Sequence, residues 1–579
     1  MSDVRQPLSA QPPRSARRPL RLWPGVGIVV VQWSVRYLVP RIASEWTAYA
    51  FLGAAAASLA FAVWWLGFSR LPAIEKWLGA ALVIVALGAT PLVLHPSIAT
   101  GMMGMMFQIS VLPFLCLALL IWAAVFGATA PVVRRATLAL AIAVACSPWF
   151  FLRTDGLTGG AGSDLAWRWS TTAEERLLAR ESAAPATAGG AEFAGGSPDA
   201  AWPGFRGPRR DSVVEAPRLR TDWAATPPDE LWRRPVGPGW SSFAVVGDVV
   251  LTQEQRGEEE VVAAYRLATG EPVWRHSTIA RFWESNAGAG PRATPSVDAD
   301  GRVFALGATG RLDALDLRDG SLVWSRDVAA GTGTETPMWA YSGSPLPIGD
   351  QVLVAVAGRL AAYDVADGAP RWMGPAAGDE VYTSPQRAVI DGVEQVLHLS
   401  DDGLAGFDLA GTELWTHAWS GTPIIQPARV GERGVLLAVD ADSGLRRLEV
   451  AHRGGDWAVE ERWTSRGLKP YFNDFVVHEG HAYGFDGGIL SCIELESGAR
   501  QWKGGRTGHG QLVLLPDQDL LVVVTERGEV MLVEAQPDGY SELGRFEALD
   551  GKTWNHPVVV GERLLVRNDR EMAAFRLPI

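Results

Sequence analysis

Downstream of residue 200 the chain keeps returning to one phrase: an apolar strand ending in an acidic residue, a turn with glycine, and a tryptophan four residues after that glycine. Its clearest copy is Leu315-Asp316-Leu317-Arg318-Asp319-Gly320-Ser321-Leu322-Val323-Trp324. The same offset recurs at Gly270 to Trp274, Gly368 to Trp372, Gly411 to Trp415 and Gly498 to Trp502. Each copy reads as a hairpin. Apolar alternation marks a half-buried strand, glycine supplies a positive φ at the turn, and the tryptophan lies on the returning strand. A lone hairpin is marginal in water, so each indole needs a neighbouring layer, and repetition provides one.

The repeat can be counted in several ways. Outer aromatic anchors fall at Trp232, Trp274, Trp324, Trp372, Trp415, Trp463, Trp502 and Phe546, spaced 39 to 50 residues apart. Third-strand signatures run from Tyr265-Arg266-Leu267 to Phe575-Arg576-Leu577, and first hairpin turns from Gly247-Asp248 to Gly561-Glu562, again eight of each. Eight units of four short strands predict an all-β eight-bladed β-propeller over 202–579. The chain ends after a third strand, while an unpaired strand, Leu231-Trp232-Arg233-Arg234-Pro235, precedes the first full unit. The N-terminal strand is therefore expected to complete the C-terminal blade and leave no open edge.

The first third has a different character. A basic leader (1–22, expected to be cytoplasmic) is followed by apolar stretches at about 23–40, 47–69, 74–94, 107–129 and 133–152. Each is near the roughly 20 residues that span a bilayer, so 23–152 reads as an α-helical transmembrane domain of about five helices. The first stretch is the weakest, because Arg36 lies inside it. Residues 1–153 carry 12 Lys and Arg against 3 Asp and Glu, and the remainder 40 against 61. Basic loops at 69–76 and 130–135 join the leader on one side, which exports everything after Leu152. The rival count of four spans would also export it, but with the basic leader outside. An acidic exported domain excludes nucleic acid as a partner. Arg36, Gln108 and Ser110 would line a quinone or proton site in the membrane, or simply snorkel and bond between helices.

Residues 153–201, rich in Gly, Ala and Pro, read as a flexible linker. One short helix is expected at 170–180, with Thr171 as its cap and Glu174 three residues on. Cys116 and Cys146 fall in predicted spans and Cys492 on a predicted strand, so neither a disulfide nor a cysteine metal site is expected.

The repeat, preceded by Trp202-Pro203-Gly204-Phe205-Arg206-Gly207-Pro208, resembles the pyrroloquinoline quinone (PQQ)-like β-propeller family. That family includes quinoprotein dehydrogenases and a non-enzymatic lipoprotein that helps assemble outer-membrane barrels. Membrane helices before eight blades also look like the membrane-bound glucose dehydrogenase type, which passes electrons to ubiquinone. In a propeller the connections between blades share one face, and here they are polar and aromatic. Trp240, Arg292, Tyr341, Tyr382, Asn473, Asp474, His509, Asn555 and His556 are expected there, with Arg292, Asn473, Asp474, His509, Asn555 and His556 ringing the mouth of the central channel. The resemblance implies PQQ with Ca²⁺ at such a mouth, with Asp474 or His509 as the base that takes a substrate hydroxyl proton. The same side chains also suit ordinary bonding between blades.

Two functional readings follow. One is a membrane-anchored, periplasm-facing propeller of the bacterial inner membrane that binds ligands or scaffolds envelope proteins. The other is a PQQ-dependent dehydrogenase oxidising an alcohol or sugar. The first is favoured, because the adjacent cysteine pair of many quinoprotein alcohol dehydrogenases is missing and about 380 residues leave little room for long insertions.

Overall fold

The computed structural model of the chain describes residues 21–42, 46–160, 162–183 and 201–579. Most of the basic leader and residues 184–200 of the expected linker lie outside the described residues. The described residues fall into two compact units.

The first unit is helical. Four of its helices, Tyr49–Phe68, Ala73–Val93, Met106–Phe126 and Pro131–Phe151, are long and apolar enough to cross a membrane. These match four of the five expected spans. Residues 23–42 also run helically, through a π turn at Ser34–Leu38, but do not meet that criterion. Arg36 interrupts the apolar run there, and its guanidinium lies 4.0 Å over the Phe51 ring. Ser110 is buried among the helices, whereas the buried Gln108 Oε1 has no partner among the described residues. Glu75 pairs with Arg134 at 2.7 Å and with Arg135 at 3.4 Å. This ion pair was not read from the sequence, where Arg134 and Arg135 counted only as loop charge.

The second unit contains eight four-stranded antiparallel sheets. Blades 1 to 7 occupy residues 244–279, 296–327, 346–373, 386–418, 428–465, 476–504 and 510–547. Blade 8, residues 558–576, takes its outermost strand from Asp229–Pro235, with Trp232 opposite Ala574 and Pro235 opposite Glu571. The ring closes as the strand count predicts.

The recurring Gly and Trp turn out to meet across blades. A Cβ on Gly320 of blade 2 would lie 2.7 Å from Cδ2 of Trp274 in blade 1, and one on Gly368 of blade 3 would lie 2.7 Å from Cδ2 of Trp324 in blade 2. Gly270, Gly411 and Gly498 meet Trp232, Trp372 and Trp463 in the same way. Each indole then donates to a main-chain carbonyl of the next blade, as Trp274 does to Leu317 O at 2.8 Å and Trp324 to Val365 O at 3.0 Å. Glycine is thus required twice over, by its positive φ and by the ring against it. A β-bulge beside each tryptophan, such as the shift between Ala314 and Leu315, tilts the outer strand at this point.

Two blades depart from the pattern. Trp415 donates to Gln395 of its own blade at 2.7 Å, because the third hairpin of blade 5 is long and turns at Gly454-Gly455. In blade 7 the residue at the tryptophan register is Gly544, opposite Leu532, rather than the expected Phe546. Trp223 fills that seat from outside the repeat. It packs 5.6 Å from the ring of Phe546, which in turn lies 4.9 Å from Phe575 of blade 8.

Segments expected to be linker are also placed. The helix runs Ala173–Ala183, starting and ending three residues beyond the expected 170–180. Its capping box is Thr172 and Glu175, joined by reciprocal bonds of 3.0 and 2.7 Å, rather than Thr171 and Glu174. That frees Glu174 to hold Arg281 at 2.8 Å and the amide of Gly257 in blade 1.

Candidate functional site

The first strand of every blade is an edge strand, and first strands of successive blades lie beside one another, so these strands surround the axis. Residues 202–214 run through this space. Trp202 exchanges main-chain bonds with Val245 of blade 1, Pro203 O accepts from Val297 of blade 2, and Val213 pairs with Leu514 of blade 7. Arg210 donates to Ser344 O and Pro345 O ahead of blade 3, and Arg209 O accepts from Gln386 of blade 4. A single segment reaching so many first strands must fill the channel. Left-handed φ at Arg206, Gly207, Arg210 and Ser212 folds it tightly enough to do so.

The inner layer of predicted site residues is built onto this plug. Arg206 donates through Nε to Ser212 Oγ at 2.7 Å and through Nη2 to Phe475 O at 2.9 Å, with Asp474 at 3.5 Å. Asp474 also accepts from the Gln426 amide, and burial raises its pKa while Arg206 opposes the rise. His556 donates from Nδ1 to Pro557 O and accepts at Nε2 from Ser212 Oγ at 2.8 Å. Burial, with Arg206 nearby, lowers it to about 3, so it stays neutral. Asn555 donates to Ser241 O at 2.7 Å.

The outer layer lies at the ends of the interblade connections. His509 sits 3.2 Å from Asn473 Oδ1 and stacks on Phe472, and burial lowers its pKa against the pull of Glu526. Phe472 continues to Trp554, and Trp554 to Trp240, at ring separations of 5.0 and 4.9 Å. Lys552 lies over both indoles, 4.4 Å from Trp554 and 4.9 Å from Trp240. Burial lowers its pKa to about 8, opposed by Asp569, Glu284 and Glu526. Glu526 accepts from Trp554 Nε1 at 2.6 Å.

Lys552 and Glu526 were not among the sequence candidates. Lys552 is recognisable in hindsight from Lys552-Thr553-Trp554 in a connection, but nothing in the sequence singles out Glu526. Arg292 is spent within its own loop, on Gly290 O, Gly288 O and Glu284, and burial lowers it to about 10. Tyr341 and Tyr382 are held apart from this cluster. Tyr341 bonds Thr334 and Glu335 O, and Tyr382 bonds Glu380 and stacks near Trp339.

A PQQ–Ca²⁺ centre would need cations free for the carboxylates and converging oxygen ligands for the metal. Arg206, Arg210 and Arg292 already donate to main-chain carbonyls, and Asp474 is spent on Arg206 and an amide. Among the described residues, the one His/Asp/Glu trio close enough to share an ion is His478, Glu479 and Asp519, at the other end of the first strand of blade 6. Lys552 alone keeps a long bond, to Asn286 O at 3.4 Å, and a single ammonium with no trio of His, Asp or Glu ligands beside it among the described residues does not make a fit for that cofactor.

The family profile described as outer membrane protein assembly factor BamB matches residues 224–389 and 258–541. No curated protein sequence matches the chain. Among solved structures, BamB from Moraxella catarrhalis is similar at 15% identity and TM-score 0.45, covering 60% of this chain and 100% of its own. A quinohemoprotein alcohol dehydrogenase from Comamonas testosteroni is similar at 12% identity and TM-score 0.48, covering 70% and 84%. The quinohemoprotein alcohol dehydrogenase ADHIIG from Pseudomonas putida HK5 is similar at 14% identity and TM-score 0.46, covering 65% and 80%.

Proposed function

Because the chain belongs to the PQQ-like propeller family of the outer membrane protein assembly factor BamB, we propose that it is a non-catalytic interaction module of the bacterial envelope. Its apolar helices anchor it in the inner membrane, and the propeller faces the periplasm. The observation that carries this reading is the plug at 202–214. A propeller whose axis is filled by its own chain, with Arg206 and Arg210 buried and bonded to carbonyls, offers its faces rather than its channel. The interblade face also presents Ile279, Trp283, Met338 and Met373 to solvent, a scatter of large apolar side chains suited to a protein partner. Counting the helix at 23–42 as a fifth span keeps the basic leader inside and the acidic propeller outside.

The test is direct. Photo-cross-linkers at Trp283 and Met338 in the membrane-embedded chain should capture envelope proteins, whereas purified protein given PQQ and Ca²⁺ should show no spectral change and reduce no dye. Saturable, cofactor-dependent dye reduction that Asp474→Ala abolishes would replace this reading with a dehydrogenase.

A further inference from the structure

The outer layer of the mouth already holds a piece of polypeptide. Residues 154–160 and 162–165 belong to the propeller unit and lie against its mouth. Leu157 donates its amide to Asn286 O at 2.7 Å, and Gly159 donates its amide to the Glu526 carboxylate. Beyond them, Asp164 pairs with Arg570 at 2.7 Å. The two glycines are seated too closely for any other residue. A Cβ on Gly156 would lie 2.8 Å from Asn286 O, and one on Gly159 would lie 2.7 Å from Cγ of His509.

We propose that the mouth lined by Trp240, Asn286, His509, Glu526, Lys552 and Trp554 is a groove for a glycine-containing turn of a partner polypeptide, which residues 156–159, at the end of a strand that turns back at Gly162, occupy as its intramolecular ligand.

These contacts are those that would recognise such a chain. A carbonyl and a carboxylate accept main-chain amides two residues apart, and the flat ring of His509 lies against a glycine that leaves no side chain between. Lys552 supplies the donor. It is 8% exposed, and its ammonium has one oxygen acceptor among the described residues, Asn286 O at 3.4 Å, with two indole faces beside it. An incoming peptide carbonyl would satisfy it better than that long bond does. Within 156–159, Leu157 is the one residue that buries an apolar side chain, and the bonds to the mouth come from the Leu157 and Gly159 amides. Such a segment opens locally without the blades opening. The inference deepens the interaction-module reading and rests on it, in that the groove supplies the chemistry of one partner.

The probe is a fluorescent peptide with the sequence of residues 154–162, added to the full chain in detergent and followed by anisotropy. Gly159→Leu should displace the resident segment, seen as faster hydrogen exchange at 156–160 with blade protection unchanged. If the resident segment is seated in all but about a tenth of molecules, Gly159→Leu should bind the peptide about tenfold more tightly than the unaltered chain. Adding Glu526→Ala should remove that binding, and a peptide with leucine in place of Gly159 should not bind. A Gly159→Leu chain with a released segment that binds no peptide, or that binds the leucine peptide equally well, overturns the groove. Loss of peptide binding alongside intact cross-linking at Trp283 and Met338 refutes the groove and leaves the interaction module standing. PQQ-dependent dye reduction that appears in Gly159→Leu refutes both.

Discussion

Gly320→Ala tests the account of why this repeat closes into blades. Gly320 has φ +72, so an alanine there costs about 1–2 kcal/mol in backbone strain alone. Its new Cβ would also drive into the six-membered ring of Trp274, with Cδ2 at 2.7 Å and Cζ3 at 2.9 Å. The indole is nearly buried and bonded to Leu317 O, so it must move. Overpacking of this kind costs about 1–3 kcal/mol, and the lost indole bond about 1 kcal/mol. The expected total is about 3–6 kcal/mol. Gly349→Ala is the matched control. Gly349 has φ +59 but nothing within contact distance of a Cβ, so only the backbone cost of about 1–2 kcal/mol remains. Urea unfolding followed by circular dichroism, with the helical unit held in detergent, reads the two variants side by side. In a Trp274→Ala background, Gly320→Ala should fall to the cost of Gly349→Ala, since the ring it strikes has gone. Equal losses for Gly320→Ala and Gly349→Ala in the unaltered chain would mean that glycine serves the turn alone, and that docking between blades is not what the repeat encodes.

Trp223→Ala should destabilise the propeller by about 3–5 kcal/mol, as a large core truncation does, and should loosen blades 7 and 8 first; hydrogen exchange across 542–576 checks this. Glu260 sits between blades 1 and 2 beside Gln253, His276, Arg311 and Asp313, accepts from the Ala308 amide, and is pushed up to about 7 by burial. A carboxyl with a raised folded pKa stabilises the fold below its unfolded pKa and loses that contribution as pH rises through the folded value. Stability should therefore fall by up to about 3 kcal/mol between roughly pH 4.5 and 7, and Glu260→Gln should flatten the curve in that window; thermal melts across pH decide it.

The blade count, the four strands per blade and the borrowed closing strand were legible because they follow from local periodicity repeated along the chain. Strand alternation, Gly320-type turns and Trp324-type anchors recur at a fixed offset, and each copy corroborates the others. The errors fell where periodicity stops. Phe546 looked like an anchor because it is aromatic at about the right place, but register places Gly544 there and Trp223 supplies the ring. The helix cap slipped by one residue because Thr171 and Thr172 both fit a capping box locally, and only the bond of Glu174 to Arg281 separates them.

By itself, then, the sequence determined an apolar helical segment and a closed ring of eight sheets, since both depend on interactions between residues near one another or repeated in kind. Tertiary structure alone decided what fills the ring. That Arg206 and Arg210 lie on the axis, that Gly156 and Gly159 cover Lys552 and His509, and that Asp474 faces an arginine are single contacts between segments far apart in the chain. No period announces such contacts, because each is made once, and its partner is chosen by where the folded chain passes rather than by the residues beside it.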